Sequence, residues 1–527
     1  MQLSLQTLSA LPKDYALPAF DIQAMRAKTA AAPAWVHFGA GNIFRMFPAM
    51  MQQTLLNQSL AETGIVVCES YDEELVDTVF APYDNLTAAV TLKADGSMDK
   101  TIVASVADCL AASRSLDALE AIFANPSLQM VSFTITEKGY AVRGADGAIL
   151  PFIQTNIDAG PNGTKSLMGL IARLALVRYT ANVLPIAFVS MDNCSHNGDK
   201  LKEAVLCIAD AWIAKGFAAQ GFADYLRDPA QVGFPLSMID KITPRPATAV
   251  RDILAADGLT NTEPIVTAKN TYAACFVNAE EAGYLVIEDV FPNGRPALER
   301  AGAIFTTRET VDKVEKMKVC TCLNPLHTAL AVFGCLLGHT SISGEMADPL
   351  LRRLVEKIGY EEGLPVVINP GIIDPKAFID EVLTKRFPNP FVPDTPQRIA
   401  CDTSQKIPVR FGETLKAYAA QGKNLAELTY IPLFCAGWLR YLLALDDAGN
   451  TFEPSPDPML AELRAAVAGI TLGDGKDHAD ILRPILANAA IFGVDLTAHG
   501  LADKVLGFFA EMNAGVGAIA KTLAAHL

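Results

Sequence analysis

Short apolar runs alternate with helix-like stretches over the first three hundred residues of the chain. The apolar runs lie at residues 35–38, 64–68, 130–136 and 184–190. They end in polar or glycine-containing turns, as buried parallel strands do. A helical pattern over residues 199–215 stops at Gly216. This alternation predicts an α/β fold whose N-terminal domain is a doubly wound, Rossmann-like sheet covered by helices.

The pattern changes after the sequence Gly-Arg-Pro at residues 294–296. Amphipathic stretches follow at residues 308–322, 325–337, 349–357, 375–385 and 424–445, with few strand signals between them. A chain of 527 residues is too long for one hydrophobic core, because cores stop growing near about 250–300 residues. We therefore expect a Rossmann-like domain over residues 1–300 and a mostly helical C-terminal domain over residues 301–527.

Composition and charge narrow the possible functions. Apolar residues make up 51% and charged residues 19% of the chain, which is typical of a folded globular protein. The formal charge of -15, from 43 basic and 58 acidic residues, repels nucleic acid and anionic lipid. We expect neither as a partner, and a basic pocket for an anionic substrate would have to be local.

The sequence also bears on localisation. The first residues, MQLSLQTLSALPKDY, lack the basic and apolar regions of a signal peptide, and no uninterrupted apolar stretch is long enough to span a membrane. Ten cysteines scattered over the chain are not a disulfide framework. These features favour a cytoplasmic protein with reduced thiols.

A glycine turn follows the first apolar run. Gly39 and Gly41 come directly after residues 35–38, and a helical pattern follows from Met46. Two glycines permit a tight turn and close backbone approach to a diphosphate at the start of a helix. Because Phe44 stands where the usual fingerprint has a third glycine, an ordinary glycine turn remains the alternative. The position at the end of the first strand favours a dinucleotide site.

Glu69 follows the second apolar run, where an acidic side chain accepts hydrogen bonds from the ribose hydroxyls of the adenosine. A carboxylate at this position would repel a 2′-phosphate, so NAD is favoured over NADP. The alternatives are a solvated carboxylate at the strand end and a ribose contact through Asp72.

The segment from Glu315 to His327 has the highest density of chemically active side chains. Asn324 and Pro325 form a helix start, which places His327 in the first turn. A desolvated lysine can donate and accept the proton that accompanies hydride transfer without a metal, and Lys318 fits that role. Taken singly, a lysine such as Lys318 is more often a surface residue than a catalytic one, and a histidine such as His327 is more often a satisfied core residue.

Several blocks, in order along the chain, resemble the long-chain mannitol dehydrogenase family. They are GAGNIFR from Gly39 to Arg45, TITEKGY at 134–140, SMDN at 190–193, SMIDKITP at 237–244 and EDVFPNGRP at 288–296. The resemblance implies an NAD-dependent dehydrogenase without a metal. It implies cofactor contacts from Gly39, Gly41, Asn42, Ile43, Arg45 and Glu69. It also implies that Asn193 and Asn324 hold the reacting oxygen, that His327 binds substrate, and that Asp240 supports the site; a helix-capping or ion-pairing role for Asp240 is as plausible.

One residue departs from the family signature of lysine, asparagine and histidine. That family has four residues between the lysine and the asparagine, whereas five separate Lys318 from Asn324 here. On an α-helix one extra residue rotates a side chain by about 100°. Since Pro325 already disfavours an uninterrupted helix, we predict a π-bulge, kink or break within residues 319–324 that returns the Lys318 amine to the cavity shared by Asn193, Asn324 and His327.

Further along, RIACDTSQKIPVRF at 398–411 resembles the substrate-binding stretch of that family, with Arg398 and Lys406 eight residues apart and Arg410 as an additional cation. Clustered bases in an acidic protein can bind a carboxylate, although such charges more often lie on a solvated face.

The resemblance is strongest to members that interconvert D-fructuronate and D-mannonate, through VCESYDEELVD at 67–77 and KVCTCLNPLHTALAVFGCLLG at 318–338. It implies a sugar acid or polyol as substrate. Alternatives are a 2-dehydrogenase of mannitol or arabinitol, a tagaturonate reductase, and, in a different class, a catalytically silent NAD-binding sensor. The sequence leaves the oligomeric state open.

Overall fold

The computed structural model describes residues 1–181, 183–392 and 394–527. The chain forms two compact parts, Met1–Asp312 and Lys313–Leu527. The division therefore comes after Asp312, within a helix, whereas the change of sequence pattern placed it near residue 300.

All named strands of the described chain lie in the first part. They are β1 (Tyr15–Ala16), β2 (Trp35–Phe38), β3 (Ile65–Glu69), β4 (Thr87–Leu92), β5 (Met98–Val103), β6 (Val106–Ala111), β7 (Met130–Phe133), β8 (Ile186–Ser190), β9 (Val232–Gly233), β10 (Ser237–Asp240), β11 (Ile265–Val266), β12 (Tyr272–Ala273), β13 (Phe276–Glu280), β14 (Tyr284–Glu288) and β15 (Ile304–Thr306). Among the described residues, six of them form a parallel sheet in the order β6-β3-β2-β7-β8-β9. Counted within the sheet this is the order 3-2-1-4-5-6, which confirms the predicted Rossmann-like domain.

The helices of this part return the chain between the strands. They are α1 (Ile22–Ala31), α2 (Asn42–Met46), α3 (Pro48–Asn57), α4 (Leu116–Ala124), α5 (Pro151–Ala159), α6 (Leu167–Thr180), α7 (Asn197–Ala214), α8 (Gln220–Arg227), α9 (Thr248–Ala256) and α10 (Arg308–Met317), the last of which continues beyond Asp312.

Each face of the parallel sheet packs in its own hydrophobic core. Successive side chains of a strand point to opposite faces, so one strand contributes residues to both cores. Val36 and Phe38 pack in one core with residues of α4, α6 and α7. Trp35 packs in a second core with residues of α3, β4 and β13. Burial on both faces explains why these strands read as continuous apolar runs rather than as alternating patterns.

The sequence patterns did not reveal the smaller sheets. β1, β5, β4 and β13 form one sheet, β10, β14 and β15 another, and β11 pairs with β12 in a hairpin. β4 pairs with β13 across nearly two hundred intervening residues, from Ala88 opposite Phe276 to Leu92 opposite Glu280. Such distant pairing leaves no local signal.

The second part is helical, as predicted. Its helices are α11 (Asn324–Leu337), α12 (Ile342–Ala347), α13 (Pro349–Glu356), α14 (Pro375–Glu381), α15 (Pro396–Ile399), α16 (Thr403–Arg410), α17 (Gly412–Ala420), α18 (Tyr430–Tyr441), α19 (Leu460–Val467), α20 (Ala479–Leu486), α21 (Ala489–Phe492), α22 (Ala502–Met512) and α23 (Ala518–His526). Over residues 313–392 and 394–527 the only extended pairing is the isolated bridge between Leu445 and Thr451.

One helical run in the described chain, Arg308–Leu337, has the length and composition of a membrane span. However, 78% of its most apolar window is buried inside the protein. Most residues of α11 are buried, including Leu326, Leu330 and Phe333. The run therefore has the character of a core helix.

Candidate active site

The glycine turn after β2 has the geometry that the sequence predicts. Gly39 has φ +106°, and a Cβ atom there would lie 2.3 Å from the backbone oxygen of Thr134. Its amide donates to the Cys68 carbonyl at 3.0 Å, which ties the turn to β3. At Gly41 a Cβ would meet nothing within 4 Å, so its absence leaves the backbone open directly before α2. This open backbone fits a diphosphate, because a ligand can approach it closely.

Glu69 ends β3 and is buried, with 6% of the residue exposed. Its Oε2 accepts the Ala40 amide at 2.8 Å, and its Oε1 accepts the amides of residues 70, 71 and 72 at 2.9–3.1 Å. The carboxylate thus fixes the glycine turn and the following loop. A ribose hydroxyl would have to share Oε2 with Ala40, so the ribose contact stays a prediction. The competing Asp72 accepts the Thr267 hydroxyl at 2.6 Å.

The remaining residues of the turn differ in burial. Asn42 begins α2 and donates to the Tyr272 carbonyl at 3.4 Å. Ile43 is half-buried. Arg45, by contrast, lies 1% exposed, with Nε donating to Thr87 at 3.0 Å and its guanidinium 5.5 Å from the Phe80 ring centre. Burial lowers the pKa of Arg45 to about 10. Its position in the core favours a role in supporting the turn from behind rather than in direct contact with a dinucleotide.

A buried carboxylate that the sequence reasoning did not single out joins the ends of β7 and β8. Asp192 accepts the amides of Ile135 and Thr136 at 2.9 Å and the Tyr140 hydroxyl at 2.5 Å. Burial raises its pKa, against these hydrogen bonds. Asp192 thereby fixes the loop at the carboxyl edge of the sheet and presents the neighbouring Asn193, which is exposed within the chain. The sequence signal that could have identified Asp192 was the SMDN block, in which it directly precedes Asn193.

The buried amide side chain of Asn197 extends these hydrogen bonds from Asp192 to β10. Asn197 is fully buried, donates to the carbonyls of Asp192 and Ser237 at 3.0 Å, and accepts the Ser237 amide at 3.0 Å. Asp240, the predicted supporting residue, ends β10 and is 7% exposed.

The predicted interruption before α11 is confirmed. Residues Lys318–Cys322 form a π-helical turn, and Leu323 leaves helical geometry with φ −131°. The Leu323 amide donates to the Lys318 carbonyl at 3.1 Å, a bond from residue i+5 that absorbs the extra residue. Lys318 is 2% exposed. A lysine buried in this way is shielded from water, as a lysine that serves as an acid–base group needs to be.

Asn324 and His327 lie in the first turn of α11, as the sequence predicts. The Asn324 carbonyl accepts the Thr328 hydroxyl at 2.8 Å. The His327 ring stacks on Phe387 at 5.0 Å, and its Nε2 lies 3.8 Å from Asp394 Oδ2. Burial and the neighbouring arginines together lower the pKa of His327 to about 4, against the opposing effect of Asp394. The imidazole is therefore neutral at pH 7 and acts by hydrogen bonding.

Cationic side chains surround this histidine. Those that act electrostatically on His327 are Arg386, Arg398 and Arg410. Arg410 donates to the Thr328 hydroxyl, and burial lowers its pKa to about 10, so it stays charged at pH 7. Lys406, one turn earlier on α16, donates to the Ile399 carbonyl at 3.2 Å. Arg398 is the most exposed and forms a two-pronged ion pair with Asp394.

Two buried acidic residues, Asp394 and Glu345, pack near α11, and the sequence reasoning missed both. Asp394 is 6% exposed and holds Arg398; its position four residues before Arg398, as in a helical ion pair, is the signal that was available. Glu345 is fully buried against Gly334 of α11, and neither carboxyl oxygen has a hydrogen-bond partner. Burial raises the pKa of Glu345 to about 9, so this group is neutral at pH 7. The cations around His327 therefore exceed the anions.

Within the described residues, no three His, Cys, Asp or Glu side chains meet in a way that could hold a metal ion.

The residues predicted for the site lie in two groups. The first compact part carries the glycine turn, Glu69, Asn193 and Asp240, and the second carries Lys318, Asn324, His327 and the basic side chains. Such groups can hold a dinucleotide, move a proton at an oxygen, and bind an anion.

Comparison with known proteins gives a consistent assignment. The Rossmann domain of mannitol dehydrogenase matches residues 33–300, and its C-terminal domain matches residues 310–509. A D-mannonate oxidoreductase of Thermotoga maritima is 49% identical over 96% of this chain and 94% of that protein. A D-mannonate oxidoreductase of Escherichia coli is 29% identical over 88% and 92%.

A solved structure agrees with these sequence matches. The mannitol 2-dehydrogenase of Pseudomonas fluorescens, in a ternary complex with NAD and D-mannitol, superposes with a TM-score of 0.72 at 27% identity and covers 100% of this chain and 99% of that one. Two domain matches that together span most of the chain, and a relative of nearly half identity over almost its full length, show that the protein belongs to the mannitol dehydrogenase family.

Proposed function

We propose that the protein is a cytoplasmic, NAD-dependent oxidoreductase that interconverts D-fructuronate and D-mannonate. The family, the D-mannonate oxidoreductases among its relatives and the NAD complex of the Pseudomonas fluorescens enzyme support this assignment. The observation that carries the choice of a sugar acid is the cluster of Arg386, Arg398, Lys406 and Arg410 near a neutral His327, in a protein with a formal charge of -15. These cations can form charge-assisted hydrogen bonds with a carboxylate, a group that a neutral polyol lacks.

The chemistry follows from the side chains. When bound, NADH supplies the hydride to the ketone carbon. The Lys318 ammonium donates a proton to the ketone oxygen as it becomes a hydroxyl, and in the reverse direction the amine takes that proton back. Asn193 and Asn324 donate hydrogen bonds to this oxygen, where negative charge develops. His327, being neutral, binds a substrate hydroxyl, and the basic cluster binds the carboxylate.

Glu69 favours NAD, because a buried carboxylate at the end of β3 repels a 2′-phosphate even while it accepts backbone amides. The π-turn that buries Lys318 weighs against the silent sensor, since such a protein has no need of a buried lysine. A 2-dehydrogenase of mannitol or arabinitol and a tagaturonate reductase remain the alternatives within the family, and some relatives are named mannitol 2-dehydrogenases.

Steady-state kinetics with NADH test the choice of substrate. We expect kcat/KM for D-fructuronate to exceed that for D-fructose by at least ~10-fold, because a hydrogen bond to a charged group contributes about 1.5–3 kcal/mol. D-tagaturonate, which carries the same carboxylate, serves as the stereochemical control. Equal efficiency on D-fructose would support a polyol dehydrogenase, and a preference for D-tagaturonate would support the other reductase.

A further inference from the structure

Two loops beside the glycine turn are fastened to each other. One follows β3 at residues 70–74, and the other is the turn of the β11–β12 hairpin at residues 267–271. The Thr267 hydroxyl donates to Asp72 at 2.6 Å, and the Ala268 amide donates to Glu74 at 3.0 Å. These hydrogen bonds join the loops into one surface.

Tyr71 and Lys269 are the large side chains presented by this surface. Tyr71 is 70% exposed, although its backbone amide is held by Glu69 at 2.9 Å. The Lys269 ammonium lies over the Tyr71 ring, 5.1 Å from its centre. A cation over one face of an aromatic ring orients the ring, and the exposure leaves most of the ring open. The chain therefore holds an aromatic ring in a fixed place without burying it.

Hydrogen bonds connect the loop that carries the Tyr71 ring to the glycine turn. Glu69 accepts the Ala40 amide of that turn and the Tyr71 amide of the loop through its two oxygens. The hairpin reaches the same turn, because Asn42 donates to the Tyr272 carbonyl. In a sheet of this order a dinucleotide lies across the carboxyl ends of the strands, with its adenosine beside the strand that follows the glycine turn. That strand is β3, and Tyr71 is two residues beyond its end.

We propose that Tyr71 is the platform on which the adenine ring of the dinucleotide stacks, with Lys269 orienting the tyrosine ring. The inference rests on the proposed function only in requiring that the protein binds a dinucleotide. Every base has an aromatic face, so an exposed and oriented tyrosine is suited to receive one.

Direct binding measurements test this proposal, with one kinetic control. Isothermal titration of NADH and of ADP-ribose into the full-length protein should show Tyr71→Ala weakening both ligands by roughly 5- to 150-fold, the affinity equivalent of one base–aromatic stack. Tyr71→Phe, which keeps the ring, should retain most of the affinity. Reduced nicotinamide mononucleotide lacks adenosine, so its kcat/KM should be the same for the wild type and for Tyr71→Ala.

Phe217→Ala is the matched control. Phe217 is another exposed aromatic residue, at 45%, and it follows α7, which begins after β8 and returns towards the amino edge of the sheet. This variant should bind as the wild type does. If the wild type binds neither NADH nor ADP-ribose, the proposed function itself fails. If the wild type binds both and Tyr71→Ala binds them as tightly as Phe217→Ala does, the stacking role of Tyr71 is wrong.

Discussion

Replacing Lys318 by alanine should lower kcat/KM for D-fructuronate by about 10²–10⁴-fold, the range over which general acid–base groups contribute. Lys318 lies in the π-turn Lys318–Cys322 and is 2% exposed, so its side chain is shielded from solvent. Without it, the alkoxide formed by hydride transfer has no proton donor. Affinity for NADH, measured by protein fluorescence, should stay within about twofold of the wild type, because the glycine turn lies in the other compact part.

Lys316 offers a matched control two residues earlier, since it is exposed on α10. Lys316→Ala should leave kcat/KM close to that of the wild type, and saturating EDTA should leave both proteins unchanged. A loss below about tenfold in Lys318→Ala, or a larger loss in Lys316→Ala, would assign the proton transfer to another group. Activity abolished by EDTA and restored by a divalent metal would contradict the metal-independent mechanism.

Replacing Arg410 by methionine should reduce kcat/KM for D-fructuronate by about 30-fold or more. Removing one partner of a partly desolvated ionic contact costs roughly 2 kcal/mol or more, which corresponds to that factor. Arg410 remains charged at pH 7 and is fixed through the Thr328 hydroxyl next to His327. Methionine keeps much of the volume and removes the charge, so the loss reports the anionic contact.

The loss of kcat/KM in Arg410→Met should depend on whether the substrate carries a carboxylate. For D-fructose, which has no carboxylate, Arg410→Met should alter kcat/KM by less than about threefold. Arg464 on the surface of α19 provides the control, and Arg464→Met should affect neither substrate. An equal fall for D-fructuronate and D-fructose would mean that Arg410 supports the fold around His327 rather than the carboxylate.

The sequence predicts the parallel sheet because its strands are buried on both faces and therefore appear as apolar runs. The predicted strand at residues 130–136 nevertheless ends at Phe133. Asp192 takes the amides of Ile135 and Thr136 out of sheet pairing, and a partner more than fifty residues away leaves no mark on the local pattern. The helical second part follows from amphipathic stretches, which are local and therefore visible.

Some features of the site could likewise be predicted from the sequence, and others could not. An interruption of the helix near Lys318 could be predicted, because an extra residue and Pro325 together disfavour a regular helix, and the structure has a π-turn at Lys318–Cys322. The backbone amides that donate to the Glu69 carboxylate could not be predicted. One comes from the glycine turn after another strand, and the others come from the loop that follows Glu69. Glu345 could not be predicted, because its role depends on packing against Gly334 of α11, whereas the spacing of Asp394 and Arg398 was a signal that could have been used.

Product analysis with NADH carrying deuterium at both C4 positions tests most directly whether NADH reduces D-fructuronate to D-mannonate on this protein. We expect D-mannonate carrying one deuterium at the former ketone carbon, with one NAD formed for each molecule of product. Unlabelled or absent D-mannonate, in a preparation that converts D-fructose into deuterated mannitol, would contradict the claim and identify a polyol dehydrogenase. Binding of NADH without turnover of either ketose would instead identify a silent sensor.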